Sequence, residues 1–221
     1  MRRCAPLFLL LAAALPLNSL SVASPSGGAD LCERTMAVLD QGYKEFRAIR
    51  AHFKHTLSAR VLNQQEVEEG ELYLERGGRM RWEYSAPKGK LAVADGRTSY
   101  LYIPTEDQVF IQPLQSGGGL PLALRLLAGQ VALGDEVTCR SAQEGPGGVM
   151  VQLQPKTPQP EIQHLEVTVD LAKREVSEVR YQDALGNENV LVLTDVKKVS
   201  NLPKELFEFK VPPGAEVIRA E

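Results

Sequence analysis

From Glu71 to Arg76 the chain alternates polar and apolar residues, turns at Gly77-Gly78, and alternates again from Arg79 to Tyr84, the pattern of a β-hairpin with one apolar face. Similar short runs at 91–94, 99–103, 108–112, 149–154, 163–170, 177–182, 190–196 and 207–211 bring the expected total to nine or ten strands. Asp95-Gly96 closes one of their turns. Strands at hairpin spacing predict one antiparallel sheet. Two stretches repeat at helical spacing instead. Leu31, Val38, Leu39, Phe46, Ile49 and Phe53 predict an amphipathic helix over 30–56, broken near Gly42, and the leucine-rich 120–131, with Pro121 in its first turn, predicts a second. The fold class is therefore α+β, mainly β. A sheet of this many strands must curl, and two helices over its concave face leave room for an apolar cavity where a ligand would sit.

The first residues change the picture of where the chain works. Arg2 and Arg3 precede an apolar run over 7–17 and a small-residue stretch ending at Ala23 and Ser24, the three regions of an export signal. Cleavage near Ala23 makes 1–23 a signal peptide and 24–221 a single exported domain. No later segment approaches the roughly 20 apolar residues of a membrane span. Cys4 lies ahead of the apolar run, so it is not placed to carry a lipid anchor. Cys32 and Cys139 survive cleavage into an oxidising compartment where they could pair, and the sequence alone leaves that bond open. Acidic and basic residues number 28 and 25, without a basic stripe, which argues against a nucleic-acid partner.

One residue breaks the hairpin's pattern. The parity that turns Leu72 and Leu74 toward the core carries Arg76 inward with them, while Met80, Trp82 and Tyr84 share a face on the partner strand. A buried arginine costs several kcal/mol unless its donors find acceptors or its head reaches water. Two readings stay open: a guanidinium that snorkels out beside the Gly77-Gly78 turn, and one that bridges the sheet to carbonyls at a helix end.

A series of short pieces resembles the outer-membrane lipoprotein carrier (LolA-like) family of Gram-negative periplasms. They run from Phe46 to Ala51 and Phe53, through Gly70, Leu72, Leu74 and Arg76, then Arg81-Trp82-Glu83-Tyr84 with Pro87, Asp95-Gly96 and Tyr100-Leu101-Tyr102. Pro121 with the leucine-rich segment, Asp183, Gly186-Asn187, Phe207-Glu208-Phe209, Pro212-Pro213-Gly214 and Val217 continue the order. The resemblance implies an incomplete, open antiparallel β-barrel whose helices form a lid over an apolar cavity. It implies a monomeric periplasmic chaperone that holds the acyl chains of lipoproteins, receives them from an inner-membrane ABC-transporter complex and hands them to an outer-membrane receptor. Its cavity and lid residues fall on Phe46, Phe53, Leu72, Leu74, Arg76, Met80, Trp82, Tyr84, Tyr100, Tyr102, Leu122 and Leu126, with the lid-latching arginine at Arg76. Two features depart from the pattern: His55 stands where a glutamine is usual, and the Cys32/Cys139 pair is often lacking.

No catalytic constellation competes with this. His52 and His55, three apart on the expected helix, lack further ligands at metal spacing. No Gly-x-Ser-x-Gly elbow occurs, and Gly117-Gly118-Gly119 lacks the Lys-Ser or Lys-Thr of a phosphate loop and reads as a hinge. Glu66, Glu68, Glu69 and Glu71 read as a solvated face. The expectation is a non-enzyme without cofactor or metal. The alternative is a periplasmic regulatory module of the same half-barrel that senses lipid or lipoprotein. An outer-membrane receptor is disfavoured by the position of Cys4, and a lipid-modifying enzyme ranks last.

Overall fold

A computed structural model describes residues 26–45, 47–114, 122–127, 133–159 and 162–219. The expected signal segment, Phe46, the three-glycine hinge and Pro121 lie outside the described residues. The elements are α1 (Ser26–Glu45), β1 (Ala48–Ala59), β2 (Gln64–Glu75), β3 (Arg79–Ala86), β4 (Leu91–Asp95), β5 (Thr98–Ile103) and β6 (Gln108–Pro113), then the short helices α2 (Leu122–Leu127) and α3 (Leu133–Glu136). They continue with β7 (Val137–Gly145), β8 (Gly148–Pro155), β9 (His164–Asp170), β10 (Glu175–Gln182), β11 (Glu188–Val199), a 3-10 turn (Lys204–Phe207) and β12 (Glu216–Arg219). All twelve strands form one open sheet in the order β12-β6-β5-β4-β3-β2-β1-β11-β10-β9-β8-β7. Neighbours are antiparallel except β12, which joins β6 in parallel.

All the alternating runs but 207–211 become strands, with bounds close to those expected except that β2 starts at Gln64. Two expectations are corrected. The helix predicted over 30–56 ends at Glu45, and 48–59 is a strand. Its burial alternates: Ile49, Ala51 and Phe53 are buried while Arg50, His52 and Lys54 are exposed. The spacing of Phe46, Ile49 and Phe53 suits a helix, but Ala51 completes a period of two that the larger residues conceal. The helix also runs through Gly42 unbroken. A Cβ there would collide with the carbonyl oxygen of Arg174, so this glycine is where α1 presses onto the β9–β10 turn. The second correction is at 207–211, which is not a strand: Phe207 ends the 3-10 turn and is buried.

The predicted helix over 120–131 is described only as α2, 122–127. Leu31, Thr35, Leu39 and Tyr43, four residues apart, give α1 one buried stripe, and that helix packs on β7, β8 and β10. Tyr43 donates its hydroxyl to the backbone carbonyl of Leu126, tying α1 to α2. At the other end of α1 the bond left open by the sequence is made: a disulfide joins Cys32 to Cys139 on β7. Among the described residues no helix is long and apolar enough to cross a membrane.

The Cys32–Cys139 bond joins positions 107 residues apart in sequence. Cross-linking at such separation restricts the unfolded chain, so the C32A/C139A variant is expected to lose about 2–4 kcal/mol of stability. A lower unfolding free energy from urea titration, with the slope free to rise as the unfolded chain expands, would register this; an unfolding free energy equal to that of the oxidised protein would show that the bond contributes nothing.

Candidate functional site

Strand register assigns each residue to a face. Leu72 pairs with Trp82 and Leu74 with Met80; across β3 and β4, Trp82 pairs with Ala92 and Met80 with Ala94. Ala92 then faces Leu101, and Leu101 faces Phe110. These share the concave face. On the other half of the sheet, β10 and β11 present Val179, Tyr181 and Leu191 to the same space, and Ala123 of α2 closes it. The result is an apolar cavity of about 400 Å³, within the usual range for small-molecule sites.

Its existence has a local cause. Where β3 carries Met80 and Trp82, the facing positions on β4 are Ala94 and Ala92, Ser99 follows Ala94 on β5, and the covering helix offers Ala123. Small side chains opposite large ones leave unfilled volume. Toward β1 the space is filled, because Phe53 packs edge-on against Trp82 and Tyr84 with ring centroids 4.7 and 5.1 Å away.

Met80, Trp82 and Tyr84 therefore stand in the cavity wall. Phe53 supports them from behind. Leu72, Leu74, Leu122 and Leu126 are fully buried, but in the packed core rather than at the cavity. Tyr100 and Tyr102 have the register of Val93 and Leu91, the convex face, and Tyr102, which does not line the cavity, is corrected. Tyr100 borders the cavity along β5, yet its ring stacks on Phe209 at 5.1 Å. The neighbouring 3-10 turn covers the same convex face, Arg81 donating to the Leu206 carbonyl at 3.1 Å. Of the two readings of Arg76, the arrangement is that of a side chain turned out to solvent beside the Gly77-Gly78 turn. β2 ends at Glu75, one residue before the parity would turn Arg76 inward, and the side chain is exposed. Its backbone N–H donates to the Arg47 carbonyl at 2.9 Å, and its guanidinium has no partner among the described residues.

Sequence reasoning misses Leu101, Phe110, Val179, Tyr181 and Leu191, and it misses a polar cluster at one end of the cavity. His52 and His55 lie on a strand, so an odd separation puts them on opposite faces. His52 faces outward to Glu71 at 2.8 Å. His55 faces inward, directly across from Glu68. Its Nδ1 is 3.5 Å from a Glu68 oxygen and its Nε2 is 3.1 Å from the Asn189 side-chain oxygen. Lys90 donates to the other Glu68 oxygen and sits 4.5 Å over the Tyr84 ring. Glu68 is thus not part of a solvated face, although Glu69 and Glu71 are turned outward to Lys54 and Arg50. Its hydrogen bond with His55, helped by Lys90, holds its carboxyl below the usual range. Burial pushes the Tyr84 phenol up.

Comparison with known proteins agrees with this architecture. The profile of the family described as outer membrane lipoprotein carrier protein LolA matches residues 44–210. A protein named outer-membrane lipoprotein carrier protein from Pseudomonas paraeruginosa is 33% identical over 150 residues, 68% of this chain and 71% of its own length. One of the same name from Chromohalobacter salexigens is 30% identical over 151 residues, 68% of this chain and 70% of its own. Among solved structures, an uncharacterized conserved protein from Thermus thermophilus superposes with a TM-score of 0.52 at 14% identity, covering 85% of this chain and 98% of that one. That likeness speaks for the fold alone.

A depressed carboxyl pKa stabilises the folded state above the unfolded value, and this stability is lost as pH falls through the folded one. Glu68→Gln should therefore cost about 1–3 kcal/mol at pH 7, and the gap to the parent protein should close below the ordinary carboxylate range. Urea unfolding at pH 7 and pH 3 measures both, and a gap that persists unchanged at pH 3 contradicts the assignment.

Proposed function

This chain belongs to the outer-membrane lipoprotein carrier (LolA) family, and from that premise we propose that it is an exported periplasmic chaperone. It takes up the acyl chains of lipoproteins released from the inner membrane and carries them to an outer-membrane receptor. The observation that carries the reading is the apolar cavity between β3–β6, β10–β11 and α2, walled by Trp82, Leu101 and Phe110. An ABC-transporter complex is the donor in this scheme, and the carrier acts as one copy of a single domain spanning 24–221. Its work is binding and release, with no bond made or broken.

Loading requires access past α2. That helix has six described residues and is held by its buried leucines and by the Tyr43 hydroxyl on the Leu126 carbonyl. α2 takes no part in the strand pairing, so it can leave its seat without breaking the sheet's ladder. Such a lid lets acyl chains replace leucine side chains against the same apolar wall.

Trp82 is the only tryptophan and stands in the cavity wall, so it reports occupancy directly. A triacylated lipopeptide should shift its emission, and Leu101→Lys should weaken that response at least about tenfold, since a charge at the wall opposes apolar cargo, while leaving the far-ultraviolet spectrum intact. Emission that ignores the lipopeptide, together with no transfer in a donor-to-acceptor assay, refutes the carrier reading.

A further inference from the structure

The cavity is apolar along its length but not at both ends. Near the starts of β4 and β11, His55, Glu68, Lys90 and Asn189 converge, with Tyr84 beneath the lysine. The opposite end, among the described residues, holds only uncharged Ser99 and Gln112, and the Ser99 hydroxyl is engaged by the Gln112 backbone carbonyl at 3.3 Å. Lys90 and Glu68 keep 19% of their side-chain surface exposed and His55 keeps 27%. Half-buried charges of this kind are seldom a source of stability, since desolvation offsets much of their attraction. Apolar residues of similar size would close the cavity end with less desolvation. The cluster therefore calls for a role beyond packing.

Donors and acceptors divide unequally within it. Both Glu68 oxygens are taken, one by Lys90 and one facing His55, and the Asn189 oxygen faces His55. Lys90 has three N–H donors, of which Glu68 engages one and the Tyr84 face covers another. The spare capacity is donor capacity, and it lies at the cavity wall, which both His55 and Lys90 line.

Resting on the carrier reading, we propose that this end is a head-group subsite. It takes the carbonyl or carboxylate oxygen at the head of an acyl chain, so that each chain enters with its tail toward Ala94 and Phe110 and its polar end at Lys90. A carbonyl drawn into an apolar cavity without a donor loses its hydrogen bonds to water, a penalty that a donor at the wall removes. Lys90 replaces that hydration, and Glu68 with the Tyr84 ring keeps the ammonium in place when the cavity is empty. The subsite fixes the direction of the chain and favours acyl groups over plain hydrocarbon. An acyl ester and a free fatty acid offer this same oxygen chemistry.

The test follows Trp82 emission in the whole exported chain with three probes, dodecane, methyl dodecanoate and dodecanoic acid. It compares the parent protein with E68Q/K90M, which removes both charges together. The double variant should bind dodecane within about twofold of the parent but the ester and the acid about tenfold more weakly, the worth of one charge-assisted hydrogen bond. Lys90→Met alone should give the same split and serves if the double variant does not fold. Loss confined to the acid assigns the subsite to free carboxylates, and loss for both polar probes assigns it to acyl oxygens in general. Equal affinity of parent and variant for all three probes overturns the subsite, as does an equal loss for all three, which marks the cluster as structural. A parent protein whose Trp82 responds to none of the probes overturns the subsite, and the carrier reading falls with it only when the triacylated lipopeptide is neither sensed nor transferred.

Discussion

The pairing of β1 with β11 holds the molecule together. β1 stands near the start of the described chain and β11 near its end, yet their register runs from Ala48 opposite Val199 to Ser58 opposite Glu188. Every strand from β2 to β6 lies on one side of this seam and every strand from β7 to β10 on the other. Without it the chain would be two smaller sheets, each with an unpaired edge and a half-covered apolar face. With it the concave surface is continuous. Phe53 and His55 on β1 and Leu191 and Leu193 on β11 lie at the middle of that surface, joining the packed core to the cavity.

The two halves use their concave faces differently. Over β7 to β10, valine and leucine fill the space under α1, and the disulfide fastens that helix at its other end. Over β3 to β6 the residues facing Met80 and Trp82 are alanines, and among the described helices only α2 lies above them. One half is a core and the other is a container. Gly70 shows how tightly the boundary is drawn: a Cβ there would meet the Glu83 carbonyl and the Phe53 ring, so the aromatic wall can stand only against a bare backbone.

Legibility in the sequence follows from how strongly each strand separates its two faces. β3 and the second half of β2 alternate cleanly and are readable to within a few residues. β1 reads as helix because its inward set includes the small Ala51, and β7 escapes the pattern because it is an edge strand whose outer half is polar, Arg140-Ser141 and Gln143-Glu144. Tyr100 and Tyr102 mislead for a different reason: β5 is apolar on both faces, and the cover over its convex face is the distant segment around Phe207 and Phe209. Glu68 shares the parity of Leu72 and Leu74, so its inward position is implicit in the pattern once β2 is known to begin at Gln64. Arg76 shows the limit of the same argument, since parity says nothing beyond the last paired residue.

The free energies involved set a limit on what such a container must do. Three acyl chains of about 16 carbons carry about 40 kcal/mol of transfer free energy at roughly 0.8 kcal/mol per methylene, whereas non-covalent affinities saturate near roughly 18–21 kcal/mol. A cavity of about 400 Å³ could shelter only part of that surface, so under the proposed carrier function uptake from a membrane would have to be driven by a donor. Release has the opposite requirement: the carrier must not hold its load more tightly than the acceptor does. A lid built on α2, whose described residues are seated by leucines, would meet both, because the seat it vacated and the chains that filled it would be chemically alike and the exchange would cost little. What such an exchange lacks is direction and selectivity, since hydrocarbon alone does not distinguish one end of a chain from the other. In the proposed head-group subsite the charged pair of Glu68 and Lys90 at one end of the cavity would supply that distinction, orienting a chain along an otherwise apolar wall.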